Sequence, residues 1–418
     1  MKFKPVEEQL EIIKRGAVEL ISEKELTKKL QKSYETGKPL VIKAGFDPSA
    51  PDIHLGHTVL LRKLKQFQDL GHEIKFLIGD FTGMIGDPTG KSEVRKQLTR
   101  EEVDKNAKTY QMQVSKVLKK DINPVFNSHW FEKFTPYEFL RLSAHLTVAQ
   151  MLAREDFKQR YSKGQDISIL EFMYPLLQGY DSVELKADVE LGGTDQKFNL
   201  LVGRQMQKDC NVPQQCVLMM PLLEGLDGVQ KMSKSLDNYV GIDEPADVMY
   251  AKLLSISDEL MYRYYELLSD VPLTDIKKYK SDIALGALHP KKCKENLALL
   301  ITKDYYSTDI ARKAAEIFNS RHSNGADLNA AENFEDKKIP KNEWKDGKLW
   351  ICKIITLAGA AASTSEARRL IKQNAVKLAG KTVTDMNLEL PCPTAEGSAD
   401  AYLIKIGKKQ FIRIIADD

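Results

Sequence analysis

The most regular pattern in the chain is a short apolar run followed by an apolar repeat with helical spacing. Pro39-Leu-Val-Ile42 is rich in β-branched side chains and predicts a buried strand. Apolar residues recur at helical spacing between Thr58 and Leu70, which predicts a helix. Ile74-Lys-Phe-Leu-Ile78 predicts a second strand. A strand, a helix and a strand within about forty residues form a βαβ unit, so we expect a parallel sheet.

Helical periodicity dominates much of the remaining chain. Residues 7–36 predict one or two amphipathic helices, and their buried stripe is expected to contain Leu10, Ile13, Val18, Leu20 and Ile21. Residues 99–160 and 244–320 are also largely helical in pattern. Between these regions, residues 216–223 form a continuous apolar run that predicts the last strand of the sheet.

Polar residues with turn signals separate a small C-terminal module from the rest of the chain. In this module a basic helix is predicted at residues 366–373, and two strands are predicted at 402–406 and 410–414. The predicted order is an N-terminal helical segment (1–36), an α/β domain with a Rossmann-like parallel sheet (37–240), an α-helical domain (241–320), a linker (321–345) and a small α+β domain (346–418).

Composition narrows the class of protein. The chain has 418 residues and a formal net charge of only +3, so any nucleic-acid surface must be a local basic patch. Its five cysteines form no C-x-x-C pair, which argues against a zinc ribbon and a disulfide framework and favours a cytoplasmic location. No apolar run approaches the length of a membrane span, and the N-terminus has no apolar signal core.

The first candidate chemistry lies in the loop between the first strand and the helix that follows it. This loop, Lys43-Ala-Gly-Phe-Asp-Pro-Ser-Ala-Pro-Asp-Ile-His-Leu-Gly-His57, leaves the strand at Gly45 and Pro48 and enters the helix at His54 to His57. A helix N-terminus presents free N–H groups and the positive end of the helix dipole, which attract phosphate. Two imidazoles and a glycine at this point allow a phosphate chain to lie against the backbone.

A second motif, Lys231-Met-Ser-Lys-Ser235, follows a glycine-rich turn far downstream. Lysine is a mobile point charge that suits a departing pyrophosphate. His54-Leu-Gly-His57 and Lys231–Ser235, in this order, resemble the two signatures of class I aminoacyl-tRNA synthetases. The resemblance implies a nucleotide-binding catalytic domain.

A third block indicates the amino-acid substrate. Tyr174, Gln178 and Asp181 are spaced i, i+4 and i+7, which places them on one face of a helix. A hydroxyl, an amide and a carboxylate can hold the charged end and the hydroxyl group of an amino acid. Gly192-Gly193 would let a ribose lie on the backbone, and Asp195 could accept hydrogen bonds from its hydroxyl groups.

With this block, the chain resembles the bacterial tyrosyl-tRNA synthetases over nearly its whole length, and their longer-chain branch in particular. The resemblance implies that ATP activates L-tyrosine to tyrosyl-adenylate with release of pyrophosphate, and that tyrosine is then transferred to the terminal adenosine of tRNA(Tyr). It further implies Mg²⁺ bound with ATP rather than in a dedicated protein site, and a homodimer built by an insertion at about 120–170. The helical domain (241–320) is expected to lie along the anticodon arm of the tRNA. In that insertion, the apolar residues Phe139, Leu140, Leu142, Val148, Met151 and Leu152 could equally belong to the core of one chain.

The resemblance also assigns roles to individual residues. The expected catalytic residues are His54, His57, Lys91, Arg95, Lys231 and Lys234. ATP is expected to contact His54, His57, Lys231 and Lys234. It is also expected to contact Asp47, Ser49, Gly56, Gly192, Gly193, Asp195, Met232 and Ser233. Tyrosine is expected to contact Lys43, Gly45, Asp87, Tyr174, Gln178, Asp181 and Gln196. The C-terminal module resembles the RNA-binding domain named after ribosomal protein S-four, and Arg368, Arg369, Lys372 and Lys377 are its expected tRNA contacts.

One position departs from the family pattern. In the shorter bacterial branch a tyrosine stands two positions before Gly-Phe-Asp and helps to bind the substrate hydroxyl, whereas this chain has Lys43 there. Either Asp181 carries more of this recognition, or Lys43 or Asp80 contributes to it, and the sequence leaves the choice open.

Three other functions compete with tyrosine activation. A tryptophanyl enzyme would share the fold, but its pocket would have little use for a carboxylate at Asp181. An RNA-binding protein without catalysis would not need the intact histidine and lysine motifs. A nucleotidyltransferase acting on a small metabolite would not need the basic C-terminal module.

Overall fold

The computed structural model describes residues 3–48, 53–89, 98–118, 123–322, 335–393, 401–407 and 410–417. The chain divides into two compact units, Met1–Arg312 and Lys313–Asp418. In the described part of the chain, no helix is both long and apolar enough to cross a lipid bilayer.

A six-stranded sheet forms the centre of the first unit. Its strands are β1 (Glu19–Ile21), β2 (Val41–Phe46), β3 (Glu73–Ile78), β4 (Val125–Phe126), β5 (Val189–Gly193) and β6 (Cys216–Met220). They lie in the order β1-β6-β5-β2-β3-β4. Strands β2 to β6 are parallel, as the βαβ pattern predicts, and β5 and β6 are buried along their whole length. The chain runs outward from β2 to β4 and then returns to β5 beside β2, which makes the β2–β5 boundary the switch point where ligands bind in such sheets.

Helices cover the sheet and continue beyond it. Those up to the end of the sheet are α1 (Val6–Lys14), α2 (Glu23–Thr36), α3 (Leu55–Asp69), α4 (Thr82–Ile85), α5 (Arg100–Val114), α6 (Ser128–Phe131), α7 (Pro136–Ser143), α8 (Val148–Leu152), α9 (Glu155–Ser162), α10 (Ile169–Glu184) and α11 (Lys197–Asp209). They are followed by α12 (Ala246–Leu254), α13 (Asp258–Leu268), α14 (Leu273–Ala284), α15 (Pro290–Tyr305) and α16 (Thr308–His322).

Helix α10 carries three of the seven residues predicted to bind tyrosine, namely Tyr174, Gln178 and Asp181. Ser168 caps its N-terminus by accepting a hydrogen bond from Leu170 N, and Glu171 completes a capping box. The absence of a side chain at Gly179 lets α10 and α11 pack closely, because a Cβ there would collide with Met206 and approach Gly203 N.

The N-terminal segment differs from its prediction. Residues 19–21 form β1 rather than part of a helix, and they pair antiparallel with β6 at the edge of the sheet. Val18 is 59% exposed, so it belongs to no buried stripe, whereas Ile13 in α1 is fully buried. β1 lies at the edge of the sheet and pairs with a neighbour on one side only. An edge strand accepts more polar side chains than a central strand does.

The second unit begins within α16, and its described part contains a five-stranded sheet and two further helices. The strands β7 (Glu335–Pro340), β9 (Val376–Leu378), β10 (Lys381–Thr382), β12 (Tyr402–Ile406) and β13 (Gln410–Asp417) lie in the order β10-β9-β12-β13-β7. A separate ribbon joins β8 (Lys348–Trp350) to β11 (Glu389–Pro391), and the helices are α17 (Ile351–Leu357) and α18 (Thr364–Lys372). Their apolar faces share one core, which includes Ile355, Ile371 and Ile404.

This unit also corrects the predicted linker. The linker prediction extended to residue 345, yet Glu335–Pro340 forms β7 and pairs in parallel with β13 along its whole length. Ile339 is buried in the core of the second unit. The many charges of this segment hid the strand, because an edge strand keeps its charged side chains in water.

Candidate active site

A cavity of about 390 Å³ lies at the C-terminal edge of the first sheet, at the boundary between β2 and β5. It brings together sixteen of the residues predicted to bind the two substrates. From the predicted ATP set it is lined by Asp47, His54, Gly56, His57, Gly192, Gly193, Asp195, Lys231, Met232 and Ser233. From the predicted tyrosine set it is lined by Gly45, Asp87, Tyr174, Gln178, Asp181 and Gln196. Ser49, Lys91 and Arg95 lie outside the described residues.

The two histidines form the start of α3. His54 Nδ1 accepts a hydrogen bond of 3.1 Å from Gly56 N, and His57 Nδ1 accepts one of 3.2 Å from His54 N. Their rings are 3.9 Å apart between centroids. Because a backbone N–H can only donate, each Nδ1 is an acceptor and each imidazole carries its proton on Nε2. The helix start therefore holds two Nε2–H donors beside the cavity.

Both imidazoles are neutral at physiological pH. Burial, followed by the neighbouring His57 and Lys234, lowers the pKa of His54 to about 2. Burial, followed by Lys234, lowers the pKa of His57 to about 4. The positive charge available to a phosphate chain must then come from lysine and arginine rather than from histidine.

The loop that contains Lys231 is tied to the histidine helix through the backbone. Leu55 N donates to Val240 O at 2.9 Å, and Ile242 N donates to Ile53 O at 3.2 Å. Lys234 does not line the cavity, but its ammonium lies 5.9 Å from the centre of the Tyr239 ring. The two motifs that are distant in sequence are therefore adjacent in the fold.

Asn238 holds this loop in shape, although nothing in the sequence marked it. Its Oδ1 accepts a hydrogen bond of 2.8 Å from Ser233 N, and its Nδ2 donates one of 2.7 Å to Asp227 Oδ2. Asp227 Oδ1 in turn accepts from the backbone N–H groups of Val229 and Gln230. Asp227 and Asn238 thus connect the segments before and after Lys231 by hydrogen bonds.

Asp47 links the predicted ATP and tyrosine sets. The Tyr174 hydroxyl donates to Asp47 Oδ2 at 2.8 Å, and Thr82 Oγ1 donates to Asp47 Oδ1 at 2.8 Å. Burial, followed by the charge of Asp47, raises the pKa of Tyr174 well above its usual range. Gly79 makes this arrangement possible, because a side chain there would collide with both Asp47 and Thr82.

A second carboxylate is held at the cavity wall by an amide. Gln196 Nε2 donates to Asp87 Oδ2 at 2.7 Å, and Asn199 Nδ2 fixes the other end of that amide through a bond of 3.0 Å to Gln196 Oε1. Asp87 Oδ1 accepts from Thr89 N and Thr89 Oγ1. Gln178 also lines the cavity, and among the described residues its buried Oε1 has no hydrogen-bond partner. These oxygens can accept the hydrogens of an ammonium group.

Asp181 lies at the wall of the cavity with only 2% of its surface exposed. Trp130 Nε1 donates to its Oδ1 at 3.0 Å, and Asn127 Nδ2 donates to its Oδ2 at 3.4 Å. Burial raises the pKa of Asp181, Lys43 and these two donors lower it, and the net value is about 7. Asn127 and Trp130 are functional candidates that the sequence did not reveal, because they approach Asp181 from a distant part of the chain.

Lys43 does not reach the cavity, contrary to its predicted contact with tyrosine. It is fully buried, and its Nζ bonds to Glu190 Oε1 at 2.7 Å, Ser182 Oγ at 2.8 Å and the Gln178 carbonyl at 3.1 Å. Asp80 is not on the cavity wall either, because it accepts from Ser128 N and pairs with Arg100. Of the three candidates for reading a substrate hydroxyl, only Asp181 faces the cavity.

Strand β5 ends in two glycines, Gly192 and Gly193, so no side chain covers its backbone there. A side chain at Gly192 would collide with Leu200, and a side chain at Gly193 would collide with Asp195. A flat ligand such as a ribose can therefore approach the strand end, with the Asp195 carboxylate beside it.

The residues predicted to contact tRNA lie in the second unit. Ala367 and Ile371 bury one face of α18, and Arg368, Arg369 and Lys372 are exposed on the other. The Arg368 guanidinium lies 4.8 Å from the centre of the Trp350 ring. Lys377, on β9, is half-buried. Three of the four predicted cations thus form an exposed basic helix face.

The parallel sheet, the histidine helix start and the adjoining lysine loop define a class I aminoacyl-tRNA synthetase. The family described as tRNA synthetases class I (W and Y) matches residues 35–323, and the tyrosine–tRNA ligase SYY-like C-terminal domain matches residues 330–414. A tyrosine–tRNA ligase of Desulfotalea psychrophila is 53% identical over 99% of this chain and 100% of its own, and one of Syntrophotalea carbinolica is 54% identical over 99% and 98%. The chain therefore belongs to the tyrosine–tRNA ligase family.

Solved structures support the fold. A tyrosyl-tRNA synthetase of Archaeoglobus fulgidus, complexed with L-tyrosine, has a TM-score of 0.60 and 23% sequence identity, over 74% of this chain and 100% of that one. A C-terminally truncated mitochondrial enzyme of Coccidioides posadasii has a TM-score of 0.61 and 23% identity, over 74% and 91%. At this identity the likeness concerns the fold alone.

Proposed function

We propose that the cavity at the edge of the first sheet activates L-tyrosine with ATP and that the enzyme then transfers tyrosine to tRNA(Tyr). In the first step an oxygen of the tyrosine carboxylate attacks the α-phosphorus of ATP, the bond to the β-phosphate oxygen breaks, and pyrophosphate leaves. In the second step a hydroxyl of the terminal ribose of tRNA attacks the activated carbonyl, and AMP leaves.

The observation that carries this proposal is the position of Asp181. A buried carboxylate at the cavity wall, held by Trp130 and Asn127, is suited to accept a hydrogen bond from a phenolic hydroxyl. Phenylalanine has no hydroxyl to donate, so it would leave this acceptor one hydrogen bond short, at a cost of about 1–3 kcal/mol. The relatives that match the chain over 99% of its length are tyrosine–tRNA ligases, which supports tyrosine over tryptophan.

The other predicted site residues that line the cavity are proposed to bind either tyrosine or ATP. Asp87, Gln178 and Gln196 supply oxygens for the tyrosine ammonium, with Gly45 and Tyr174 beside them. The bare end of β5, with Asp195, accommodates the ribose of ATP. The phosphate chain lies against the residues of the two motifs, among them Asp47, His54, Gly56, His57, Lys231, Met232 and Ser233. Lys234 adds charge next to them, and Ser49, Lys91 and Arg95 keep their predicted roles at the phosphates.

The reaction needs orientation and charge more than proton transfer. A carboxylate with an ordinary pKa of about 3.3–3.7 is already ionised at neutral pH, so its attack requires no protein base. The neutral Nε2–H groups of His54 and His57 can donate to phosphate oxygens as negative charge moves onto the pyrophosphate. Lys231 and Lys234 neutralise that charge as it develops.

Mg²⁺ is expected to enter with ATP. The described residues include no cluster of three His, Cys, Asp or Glu side chains arranged to hold a metal ion. The carboxylates that line the cavity include those of Asp47, Asp87 and Asp195. Mg²⁺ usually keeps several waters and binds phosphate oxygens with one or two carboxylates, so these residues fit an ion that arrives with ATP. When bound, the ion would screen the triphosphate.

We also propose that the chain forms a homodimer through the insertion at about 120–170. In this region Leu142 and Met151 are buried in the core, but Tyr137, Leu140, Val148, Tyr161 and Ile169 are 62–82% exposed. So many exposed apolar side chains in one stretch are typical of an interaction surface. Leu140→Lys combined with Ile169→Lys should lower the molar mass measured by light scattering, whereas Leu285→Lys, at a site 81% exposed elsewhere, should not.

The remaining parts of the chain are proposed to bind tRNA. The predicted anticodon-arm domain (241–320) corresponds to helices α12 to α16, and the four basic residues of the second unit are proposed to contact tRNA phosphates. The proposed domain order and the cytoplasmic location remain those expected from the sequence.

The experiment that tests the main proposal is ATP–pyrophosphate exchange with each standard amino acid in turn. Exchange with tyrosine alone, followed by charging of tRNA(Tyr), is the expected result, and Asp181→Ala should raise the relative rate with phenylalanine. Exchange with tryptophan instead would identify the other branch of the family, and exchange with no amino acid would overturn the proposal.

A further inference from the structure

A charged cluster lies directly beneath the proposed tyrosine pocket. Lys43 of β2 and Glu190 of β5 are register partners on neighbouring parallel strands. Lys43 is fully buried, Glu190 is 1% exposed, and the Nζ and Oε1 atoms are 2.7 Å apart. The pair is thus an ion pair within the protein core.

The pair is anchored to α10. Lys43 Nζ also bonds to Ser182 Oγ at 2.8 Å and to the Gln178 carbonyl at 3.1 Å. Ser182 Oγ donates to Glu190 Oε2 at 2.9 Å, and Gln215 Nε2 donates to the same oxygen. The three donors of the ammonium therefore all have acceptors, as a buried charge requires.

Gly203 of α11 leaves the space that this cluster occupies. A Cβ at Gly203 would lie 3.1 Å from both Ser182 Oγ and Gln215 Nε2. A buried ion pair is expensive to desolvate and is often no more stabilising than apolar side chains of the same size. Stability alone is therefore a weak reason for this cluster, and its position suggests a role in the pocket above it.

Lys43 bonds to α10 at the Gln178 carbonyl and the Ser182 hydroxyl, in the same turn that presents the Gln178 and Asp181 side chains to the cavity. Gln178 and Ser182 are one helical turn apart, and Asp181 projects into the cavity between them. Fixing the Gln178 carbonyl and the Ser182 hydroxyl therefore fixes the turn of α10 that carries Gln178 and Asp181. The cavity side of the same turn contains the buried Oε1 of Gln178 and the carboxylate of Asp181.

Lys43 also acts on the charge of Asp181. Burial raises the pKa of Asp181, Lys43 is the strongest influence that lowers it, Glu190 raises it again, and the net value is about 7. Tyr174 is the other titratable group of α10 that senses Asp181, and Asn127 and Trp130 contribute uncharged donors from the α6 side. Without the ammonium, the protonated form of Asp181 would predominate at neutral pH.

We propose that Lys43 is a positioning residue for recognition of the tyrosine hydroxyl: it fixes the turn of α10 that carries Gln178 and Asp181, and its charge favours the ionised form of Asp181 as the acceptor. This inference rests on the proposed function of the cavity. It gives a role to the lysine that stands where the shorter branch has a substrate-binding tyrosine. An ionised acceptor matters because a charge-assisted hydrogen bond is roughly twice as strong as a neutral one.

The test uses the ratio of kcat/KM for tyrosine to kcat/KM for phenylalanine in ATP–pyrophosphate exchange, measured between about pH 5.5 and 9. The two amino acids share their ammonium and carboxylate groups, so titrations that affect both cancel in the ratio. The pH dependence that remains in the ratio reports the ionisation of groups that interact with the tyrosine hydroxyl. In the parent enzyme the ratio should rise with pH to a plateau.

Lys43→Met keeps the length of the side chain and removes its charge. The midpoint of the ratio should move up by about one pH unit or more, since an opposite charge at close range lowers a carboxyl pKa by about 1–3 units. At pH 7 the ratio should fall about five- to tenfold and recover near pH 9. Recovery at high pH is the signature that a merely loosened pocket would not give.

Two further variants complete the test. Lys63→Met removes another buried lysine, which bonds to the carbonyls of Ile12, Ile13 and Arg15 at the end of α1, and it should leave the midpoint unchanged. Glu190→Gln removes the opposing charge and should move the midpoint to lower pH, so it carries the test if Lys43→Met does not fold.

The outcomes separate the two proposals. Midpoints that do not move, or that move in the same direction in Lys43→Met and Glu190→Gln, overturn the role of Lys43. A parent enzyme that shows no exchange with tyrosine overturns the proposed function instead.

Discussion

Trp130 Nε1 lies 3.0 Å from Asp181 Oδ1 and donates a hydrogen bond to it. The two residues are 51 positions apart in the chain, and the bond joins α6 to the middle of α10. Trp130 packs edge-on against Phe131 in the same cluster of apolar side chains that buries Leu176 and Leu177. The orientation of the carboxylate thus depends on a helix whose residues do not line the cavity.

Trp130→Phe should weaken tyrosine binding. The substitution keeps an aromatic ring but removes the N–H, so a buried carboxylate loses one of its two side-chain donors, at about 1–2 kcal/mol. We expect KM for tyrosine in ATP–pyrophosphate exchange to rise about fivefold to thirtyfold with a smaller change in kcat. Trp344→Phe is the matched control, because among the described residues the buried Trp344 Nε1 has no partner. An unchanged KM in Trp130→Phe would contradict the role of this bond.

Lys234→Ala should slow adenylate formation while tyrosine affinity stays nearly constant. The Lys234 charge lies close enough to lower the pKa of both motif histidines, yet the residue does not line the cavity. A contact made mainly in the transition state is expected to contribute about 10²–10³ to the rate. Single-turnover activation measures this directly, with Lys277→Ala on the exposed face of α14 as control. An activation rate equal to that of the parent would refute the assignment.

Stability should fall on acidification because of His54 and His57. Their folded-state pKa values of about 2 and about 4 lie below the ordinary value of 6.5, so the unfolded chain binds more protons between pH 6.5 and pH 4. The free energy of unfolding therefore rises with pH in this window, and the contribution is complete above pH 6.5. Each histidine should contribute about 1–2 kcal/mol to the loss between pH 6.5 and 5.

Urea unfolding at several pH values measures this effect. Asn places an acceptor near the position of Nδ1 and does not titrate, so His54→Asn with His57→Asn should lose less stability between pH 6.5 and 5 than the parent. Burial also lowers the pKa of His72 to about 4, but His72 is present in both proteins and cancels in the comparison. Equal losses in the two proteins would show that the motif histidines do not titrate as inferred.

Removal of the C-terminal unit should separate the two half-reactions. All predicted adenylation residues precede residue 235, so a chain that ends at residue 322 should retain pyrophosphate exchange. It should lose aminoacylation, and its tRNA binding should depend less on salt because each lost phosphate contact removes about one released counterion. Neutralising Arg368, Arg369, Lys372 and Lys377 in the full chain should reproduce much of this defect.

The position of the cut matters. A chain ending at residue 345 would retain β7 without its partner β13 and would expose Ile339. We expect this longer fragment to aggregate more readily than the one ending at residue 322, as monitored by light scattering. Normal aminoacylation by the shorter fragment would mean that the second unit is not needed for productive tRNA binding.

Local signals in the sequence were sufficient for much of the fold and for most of the cavity. The apolar run ending at Ile42 and the helical repeat after Thr58 predicted β2 and α3, because strand and helix periodicities differ over a few residues. The i, i+4, i+7 spacing of Tyr174, Gln178 and Asp181 placed them on one face, and all three line the cavity. Such predictions succeed where the geometry of one element alone decides which residues meet.

Contacts between elements could not be predicted in this way. The sequence made Lys43 a substrate contact, but the parallel pairing of β2 with β5 puts Glu190 beside it and so buries both charges beneath the pocket. Asn127 and Trp130 reach Asp181 only because the insertion folds back onto α10. The sequence alone determined which chemical groups this protein has and, for β2, α3 and α10, which element carries them. The tertiary structure decided which groups are paired, buried or open to the substrates, because pairing and burial depend on side chains that lie far apart along the chain.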